Sequence, residues 1–599
     1  MILNLEHRNL VKSIKSKWIY FGANYSNLKR LSKRINKEDN ISLSQEHYLN
    51  FIIEKENYKQ WLQHQRNFYN DSIEWWMNNL TSMNDLSSFF LLNVSQIKSI
   101  ENYIDKEKNI KKITVVAENF HLLKFLYENL EKKYNLKRPR LLEIFILFEK
   151  LNLIFKGFIN YLKIIYFFIT NYLYSLEPFK KKTKPSGEVY LFHDLINTSK
   201  FNDGIVQSRY FGNFPKWLED NGKQVISLPW FYQNLSNKKK IYEQLRKRNS
   251  FISEDWLNIS NYFESLTFSI KSSFSINSKI EYPNYKTQSL VNFIKYSGLQ
   301  NKSAIFFRYL IALNKWSKNI NSLIFIDHYQ NQNYEHTIRY HFKSSNLSKF
   351  RSIGYFHSLH SINFLPYLTT HEEWKSKVKP DLIFCPNLVC KDYLEFQGIP
   401  SEKIKITSDL QRDQLLNKIV VKKNSDKNLL IILSLFPVSN NELLSKFLEI
   451  NDYIYNTLGI NITIRPHPYM SIKIVKKNLG IRNFPKNWNF SNNDLHTDLN
   501  NNYCVVTLHS SVVTDAIFFN CIVATLKTEL NVGENFLDFL EDKFPLLKST
   551  DKKNLKNKIE EIYFSKKNFY KEEFNNIKIF FDKNITVKDY KKIIDTIKD

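Results

Sequence analysis

The chain has 599 residues, too many for one hydrophobic core, and its 43% apolar and 15% aromatic content excludes a disordered polypeptide and points to two to four domains. Only 12 glycines and 15 prolines occur, which excludes collagen-like and linker-rich architectures, and no repeat of fixed period marks a solenoid or propeller. A formal charge of +27 favours anionic partners, yet it comes mostly from Lys in a chain also rich in Asn, Ile, Phe and Tyr, the bias of an A/T-rich genome; no basic run interleaved with stacking aromatics marks a nucleic-acid module, so nucleic acid is not an expected partner.

Residues 1–184 read as a mainly helical region with one α/β unit, the strand-like KKITVVAEN at 111–119 followed by the helical FHLLKFLYENLEKKY. Trp75 and Trp76 read as core or interface anchors. The N-terminus carries no long apolar stretch, so no signal peptide is expected. Cys385, Cys390, Cys504 and Cys521 are spaced for neither a zinc site nor a disulfide scaffold, and reduced thiols in the cytoplasm are expected. Residues 141–176 form a long apolar stretch ahead of Lys180, Lys181, Lys182 and Lys184. The favoured reading is an amphipathic helix on the inner leaflet of the membrane; packing inside the protein and a true span are the alternatives.

From residue 187 strands and helices alternate. Apolar strands with polar exits read at 188–194, 224–228, 322–330, 350–358, 380–387 and 402–409, interrupted by a less readable insert at roughly 233–300. Residues 187–421 are expected to form a first Rossmann-like domain, on the acceptor side, and 422–427 a linker. A second series, at 428–437, 460–468, 488–490, 503–511 and 521–526, predicts a second Rossmann-like domain over 428–546 for a nucleotide-sugar donor, with a helical tail over 547–599. The fold class expected is α/β, two Rossmann-like domains preceded by a mainly helical N-terminal region.

In open α/β sheets ligands sit beyond the carboxyl ends of strands. That rule selects Arg465 and His467 in ITIRPHP, which suit a phosphate oxygen, and Ser510 and Ser511 at the start of a helix behind YCVVTLH, with Asp515 one turn on for a ribose hydroxyl. His467 and Ser510–Ser511 are expected at adjacent strand ends facing one phosphate; an ordinary Ser N-cap is the plainer reading of the serines alone. In the first half Glu335, following a strand exit, is the expected general base, Asp194 and Asp327 are its rivals, and His357 is a catalytic or acceptor-binding candidate. Asp203, Gly204 and Tyr210 to Gly212 are candidates for an acceptor-side loop. No D-x-D stands at a strand end, so no metal and no cofactor beyond the donor are expected, and Arg465, His467 and the Ser511 helix would stabilise the departing phosphate.

The order R-x-H-P, then S-S before a helix with an acidic residue, resembles the donor half of CDP-glycerol glycerophosphotransferases and polysialyltransferase-like enzymes. SRYFGNFPKWLEDNGKQV at 208–225, DHYQNQNYEHTIRYH at 327–341, IGYFHS at 353–358 and the run from DLIFCPN to SDLQR at 381–412 are similar to a family of bacterial surface carbohydrate biosynthesis proteins of the O-antigen and capsule type. The resemblance spans roughly 190–545 and rests on motif order. Two positions depart from it: Tyr334 stands where a Trp is common, and Asp515 where a Glu is common. It implies a GT-B-type glycosyltransferase, inverting and metal-independent, moving a sugar from a nucleotide donor, CMP- or CDP-linked, to a growing polysaccharide or a lipid-linked acceptor. A UDP-sugar 2-epimerase-like enzyme and a non-catalytic assembly factor with the same fold are the alternatives.

Overall fold

The computed structural model describes residues 16–22, 25–35, 39–83, 89–107, 112–136, 141–175, 185, 187–195, 210–230, 238–345, 347–407, 409–410, 428–434, 437–467, 470–508, 510–528, 537–550, 552–564, 567–582 and 589–598. The linker, the lysines at 180–184, Asp203, Gly204 and His509 lie outside them.

Three parallel sheets organise the chain. The smallest pairs β1 (Lys17–Phe21) with β2 (Ile113–Ala117), from Lys17 opposite Ile113 to Phe21 opposite Ala117. Around it pack α1 (Ser44–Phe68), α2 (Phe90–Lys106) and α3 (Phe120–Tyr134). Trp61 stacks on Phe90 with centroids 4.2 Å apart, and Trp75 and Trp76 are buried. The long helix α4 (Leu142–Ser175) follows. The insert that was hard to read is helical, with α5 (Ile259–Phe274) and α6 (Gln288–Gly298), and part of it belongs physically with the N-terminal region: Ile276, Tyr282, Leu290, Val291 and Ile294 share its hydrophobic core.

The second sheet holds β3 (Glu188–Leu195), β4 (Gln224–Trp230), β5 (Ser322–Asp327), β6 (Lys349–Tyr355), β7 (Leu382–Cys385) and β8 (Ile404–Ile406), in the order β4-β3-β5-β6-β7-β8. Helix α7 (Asn333–Ser344) follows β5. The third sheet holds β9 (Asn428–Ile432), β10 (Asn461–Arg465), β11 (Trp488–Phe490), β12 (Cys504–Thr507) and β13 (Ile522–Thr525), in the order β11-β10-β9-β12-β13, with α8 (Pro437–Asp452) and α9 (Val512–Phe518) among its helices. All pairings in both sheets are parallel. Such strands are covered on both faces and so read as unbroken apolar runs, as Leu429–Ile432 and Cys504–Val506 do, all of them buried. Two doubly wound sheets in succession give the α/β architecture of two Rossmann-like units.

The last helix, α10 (Tyr590–Lys598), returns to the second sheet rather than staying with the third. Ile593, Ile594 and Ile597 join the core made by Tyr190, Phe192, Phe214 and Tyr355, and Tyr590 meets Phe214 and Trp217. Ile597 is 1% exposed, so Ile597→Ala is expected to cost about 2–5 kcal/mol through lost burial and a residual cavity. Denaturant unfolding followed by the near-ultraviolet signal of the aromatic-rich first Rossmann-like unit should register it.

Candidate functional site

In the second sheet the chain leaves β3 toward β4 on one side and β5 toward β6 on the other. The crevice beyond the C-terminal ends of β3 and β5 is therefore a topological switch point, the usual ligand position in such sheets. Three imidazoles collect there. His193 lies near the end of β3, His328 directly follows β5, and His357 stands two residues beyond β6. The His193 and His328 rings stack at 5.3 Å, and Tyr210 stacks on the other side of His328 at 4.5 Å and 10°. Tyr210 also lies 4.4 Å from the ring of His357, which is 6.1 Å from that of His328. Gly212, at φ 51, turns the Tyr210 loop into the helix at Phe214–Asp220, a left-handed conformation that suits glycine.

Hydrogen bonds orient His328. Its Nδ1 lies 3.4 Å from the His193 carbonyl and its Nε2 3.1 Å from the Tyr334 hydroxyl. The carbonyl can only accept, so Nδ1 carries a proton, whereas Nε2 and the Tyr334 hydroxyl share a hydrogen bond in which either can donate. Tyr334 thus supplies the polar contact at the position where the family resemblance expects Trp. Burial, and then positive charge at His328 and Arg339, hold His193 far below the usual imidazole range. His357 is half-buried at the edge of the cluster, and of the three it is the one that reaches solvent.

The carboxylates expected to act as base do not face the crevice. Glu335 is fully buried and accepts from the backbone N–H groups of Gln330 and Asn331, both at 2.9 Å, and from Arg339 Nη1 at 3.3 Å. Asp327, also fully buried, accepts from Arg339 Nη2. Arg339 further donates to Ser352 Oγ at 3.1 Å. The local pattern explains this: Asn331 takes a left-handed turn at φ 55, which aims two N–H groups at the first turn of α7, and an acid one turn into the helix closes on them. Burial raises both carboxyls, and the guanidinium between them opposes that rise. Glu335 thus holds the loop carrying His328, and the expectation that its carboxylate faces the cleft is corrected; Asp327 is likewise buried. Asp194 lies in β3 opposite Pro229, and nothing further is described of its side chain.

In the third sheet the chain leaves β9 toward β10 on one side, and β12 pairs with β9 on the other. The switch point lies between the ends of β9 and β12. Ser434, just beyond β9, is locked by Asn440, whose side-chain amide both accepts from the Ser434 N–H and donates to its carbonyl at 2.8 Å. Beyond β12, the Ser510 hydroxyl accepts from the Val512 N–H at 3.3 Å, whereas Ser511 occupies the cap position of α9 without a side-chain cap bond. Asp515 is half-buried in the first turn of α9.

His467 follows β10 and is half-buried. Since β9 separates β10 from β12, the expectation of adjacent strands is corrected: at ordinary strand spacing the two ends stand about 10 Å apart. Arg465 reaches toward the exit of β11. Its Nη1 donates to Asp498 Oδ2 at 2.5 Å and to the Asn493 carbonyl at 2.8 Å, so it ties β10 to the start of the helix at Leu495–Asn501. Asp498 also accepts from Ser491.

His193 and His328 were missed by the reading of motifs. Their signal was present: each sits beside an Asp at a strand exit, in FHD and in DHY.

No protein-family profile matches the chain, and no curated protein does. Among solved structures, UDP-GlcNAc 2-epimerase from Neisseria meningitidis bound to UDP-GlcNAc aligns at 11% identity and TM-score 0.37, over 69% of this chain and 99% of that one. The Streptomyces sp. SF2575 glycosyltransferase SsfS6 aligns at 9% and 0.33, over 69% and 99%. A variant of the wall teichoic acid polymerase TagF aligns at 11% and 0.32, over 74% and 96%. At these values the likenesses carry no inference about this chain.

Removing the central cation tests the buried network. Arg339→Met is expected to destabilise by about 3–5 kcal/mol, because two carboxyls are left buried without a countercharge. A carboxyl whose folded pKa lies above its unfolded one binds more protons in the native state, so stability falls as pH rises through that window. The variant's melting temperature, relative to the parent, should therefore be lower at about pH 8 than at about pH 5.

Proposed function

We propose that the chain is a glycosyltransferase that takes a sugar from a nucleotide donor and passes it to a hydroxyl of a surface-polysaccharide or lipid-linked acceptor. The observation that carries this reading is the pairing of two switch-point edges of different chemistry. The first presents imidazoles backed by tyrosines, with Asp327 and Glu335 both bound to Arg339. The second presents small hydroxyls, helix-start N–H groups and His467, as a nucleotide phosphate needs.

On this reading His357, at the solvent side of the cluster, takes the acceptor proton as the hydroxyl attacks the anomeric carbon. A neutral imidazole suits that role near pH 7. His328, hydrogen-bonded to Tyr334, and the stacked Tyr210 hold the geometry. His467 on one side of β9 and Ser510, Ser511 and Asp515 on the other bracket the diphosphate and ribose, whose length suits the separation of β10 from β12. A 2-epimerase-like reaction needs a fuller acidic set in the cleft, and the commitment of Asp327 and Glu335 to Arg339 favours transfer.

The test is turnover of CMP-, CDP-, UDP- and GDP-activated sugars by purified protein, with product analysis separating transfer, hydrolysis and epimerisation. His357→Gln should lower transfer by about a hundredfold or more with nucleotide affinity unchanged. His467→Ala should weaken nucleotide binding, read by calorimetry, by about tenfold. An unchanged rate for His357→Gln would remove the base assignment. Donor isomerised at the sugar C2 in place of transfer would replace the reaction.

A further inference from the structure

Helix α4 packs one face on the protein and shows the other to solvent. Its inward residues are specific: Gly157 lies against Leu299, where a Cβ would come within 2.8 Å, Asn160 Nδ2 donates to the Asn301 carbonyl at 2.8 Å, and the Tyr161 hydroxyl donates to Ser269 Oγ at 3.1 Å. The outward face is an apolar stripe at helical spacing, Phe148, Leu151, Phe155, Phe158, Leu162 and Ile165, with Phe148 63% and Phe155 61% exposed. Over 34 residues the helix is about 50 Å long.

Its neighbour α5 is built inside out. The buried face carries Ser265, Ser269, Ser272 and Ser273 beside Tyr262, and the exposed face carries Ile259, Phe263, Ile270 and Phe274, with Phe263 66% exposed. Tyr161 touches Ser269, and Phe168 and Tyr172 touch Tyr262, so residue numbers fall in α5 as they rise in α4 and the two helices are antiparallel. In each helix the residue after a contact residue belongs to the exposed stripe: Leu162, Ile169 and Leu173 in α4, Phe263 and Ile270 in α5. One residue turns a helix by roughly 100° in a fixed sense. In antiparallel neighbours that touch side by side, the two turns bring both stripes to the same side.

We propose that α4 and α5 form a flat apolar platform that seats this chain on an anionic lipid surface. Charge selects that occupant. From Lys150 to Ser175 the helix has no acidic residue, and Lys156 and Lys163, seven residues apart and exposed, share one flank of the stripe while Lys150 lies on the other. On α5 Glu264 and Lys271 offset one another on a single flank. A second copy seated on the same face would bring two rows of lysines together, whereas lipid phosphates neutralise them. Helix α4 is long and apolar enough to cross a bilayer, but a span would strip Asn160, Tyr161 and Asn171 of their partners in the fold.

Full-length protein should co-sediment with vesicles containing about one third phosphatidylglycerol, bind pure phosphatidylcholine more weakly, and lose affinity at high salt. Phe148→Ser with Phe155→Ser, and separately Phe263→Ser with Phe274→Ser, should each lower binding by about tenfold or more without moving the melting temperature. Hydroxyl-radical footprinting of the unaltered chain should show these four phenylalanines protected by vesicles, a readout free of any folding defect. If only the α4 pair lowers binding, the two-helix platform is wrong. If neither pair does, or if both pairs instead dissolve a dimer of a chain that ignores vesicles, the lipid assignment falls. Extraction only by detergent would replace the platform with a span.

Discussion

The guanidinium of Arg339 sits where three parts of the second sheet meet. It holds Asp327 at the end of β5, Glu335 in the first turn of α7 and Ser352 in β6, all inside the protein. Taking such a cation from water costs several kcal/mol, and the gain comes only when every donor is met. The need to meet those donors explains why β5, its exit loop and α7 take one arrangement. The network continues through Asn331 to Lys379, which pairs with Glu373, and to His336, whose Nδ1 meets the Trp76 carbonyl. The N-terminal region is thereby keyed to the same helix that fixes His328, and the imidazole cluster rests on a rigid frame rather than on a surface loop.

The two switch points divide the chemistry. At the first, Tyr210, His328 and His193 stack, and one ring, His357, stands toward solvent. At the second, the side chains are short and the backbone is held by amide and hydroxyl locks at Ser434 and Ser510.

The strands of the two large sheets were legible because parallel strands covered on both faces must be apolar throughout, and polar exits mark their ends. A strand near Trp488–Phe490 was among those read, and β11 lies there. β1 was missed because KWIYF has no partner nearby in sequence; its register is set by β2, almost a hundred residues on. α5 was missed for a different reason. Ile259, Phe263, Ile270 and Phe274 face outward while four serines face inward beside Tyr262, so apolar periodicity does not mark the buried face cleanly. At the site, residue types and strand ends were readable, but partners were not. Nothing in YEHTIRYH tells that Arg339 will turn back to hold Glu335, nor in ITIRPHP that Asp498 will claim Arg465. Such choices depend on which buried charge lies within reach, and that is decided by packing across the sheet.

The return of α10 to the second sheet has a consequence for synthesis. The ribosome completes β8 long before it makes Ile593, Ile594 and Ile597, which lie about 190 residues beyond Leu410 in the same core. At elongation rates of about 5–20 residues per second that interval is roughly ten to forty seconds. Throughout it the aromatic face formed by Tyr190, Phe192 and Phe214 stands uncovered on the nascent chain, a natural surface for a holding chaperone. A ribosome that stalls within the third sheet would release a first unit with that face still bare.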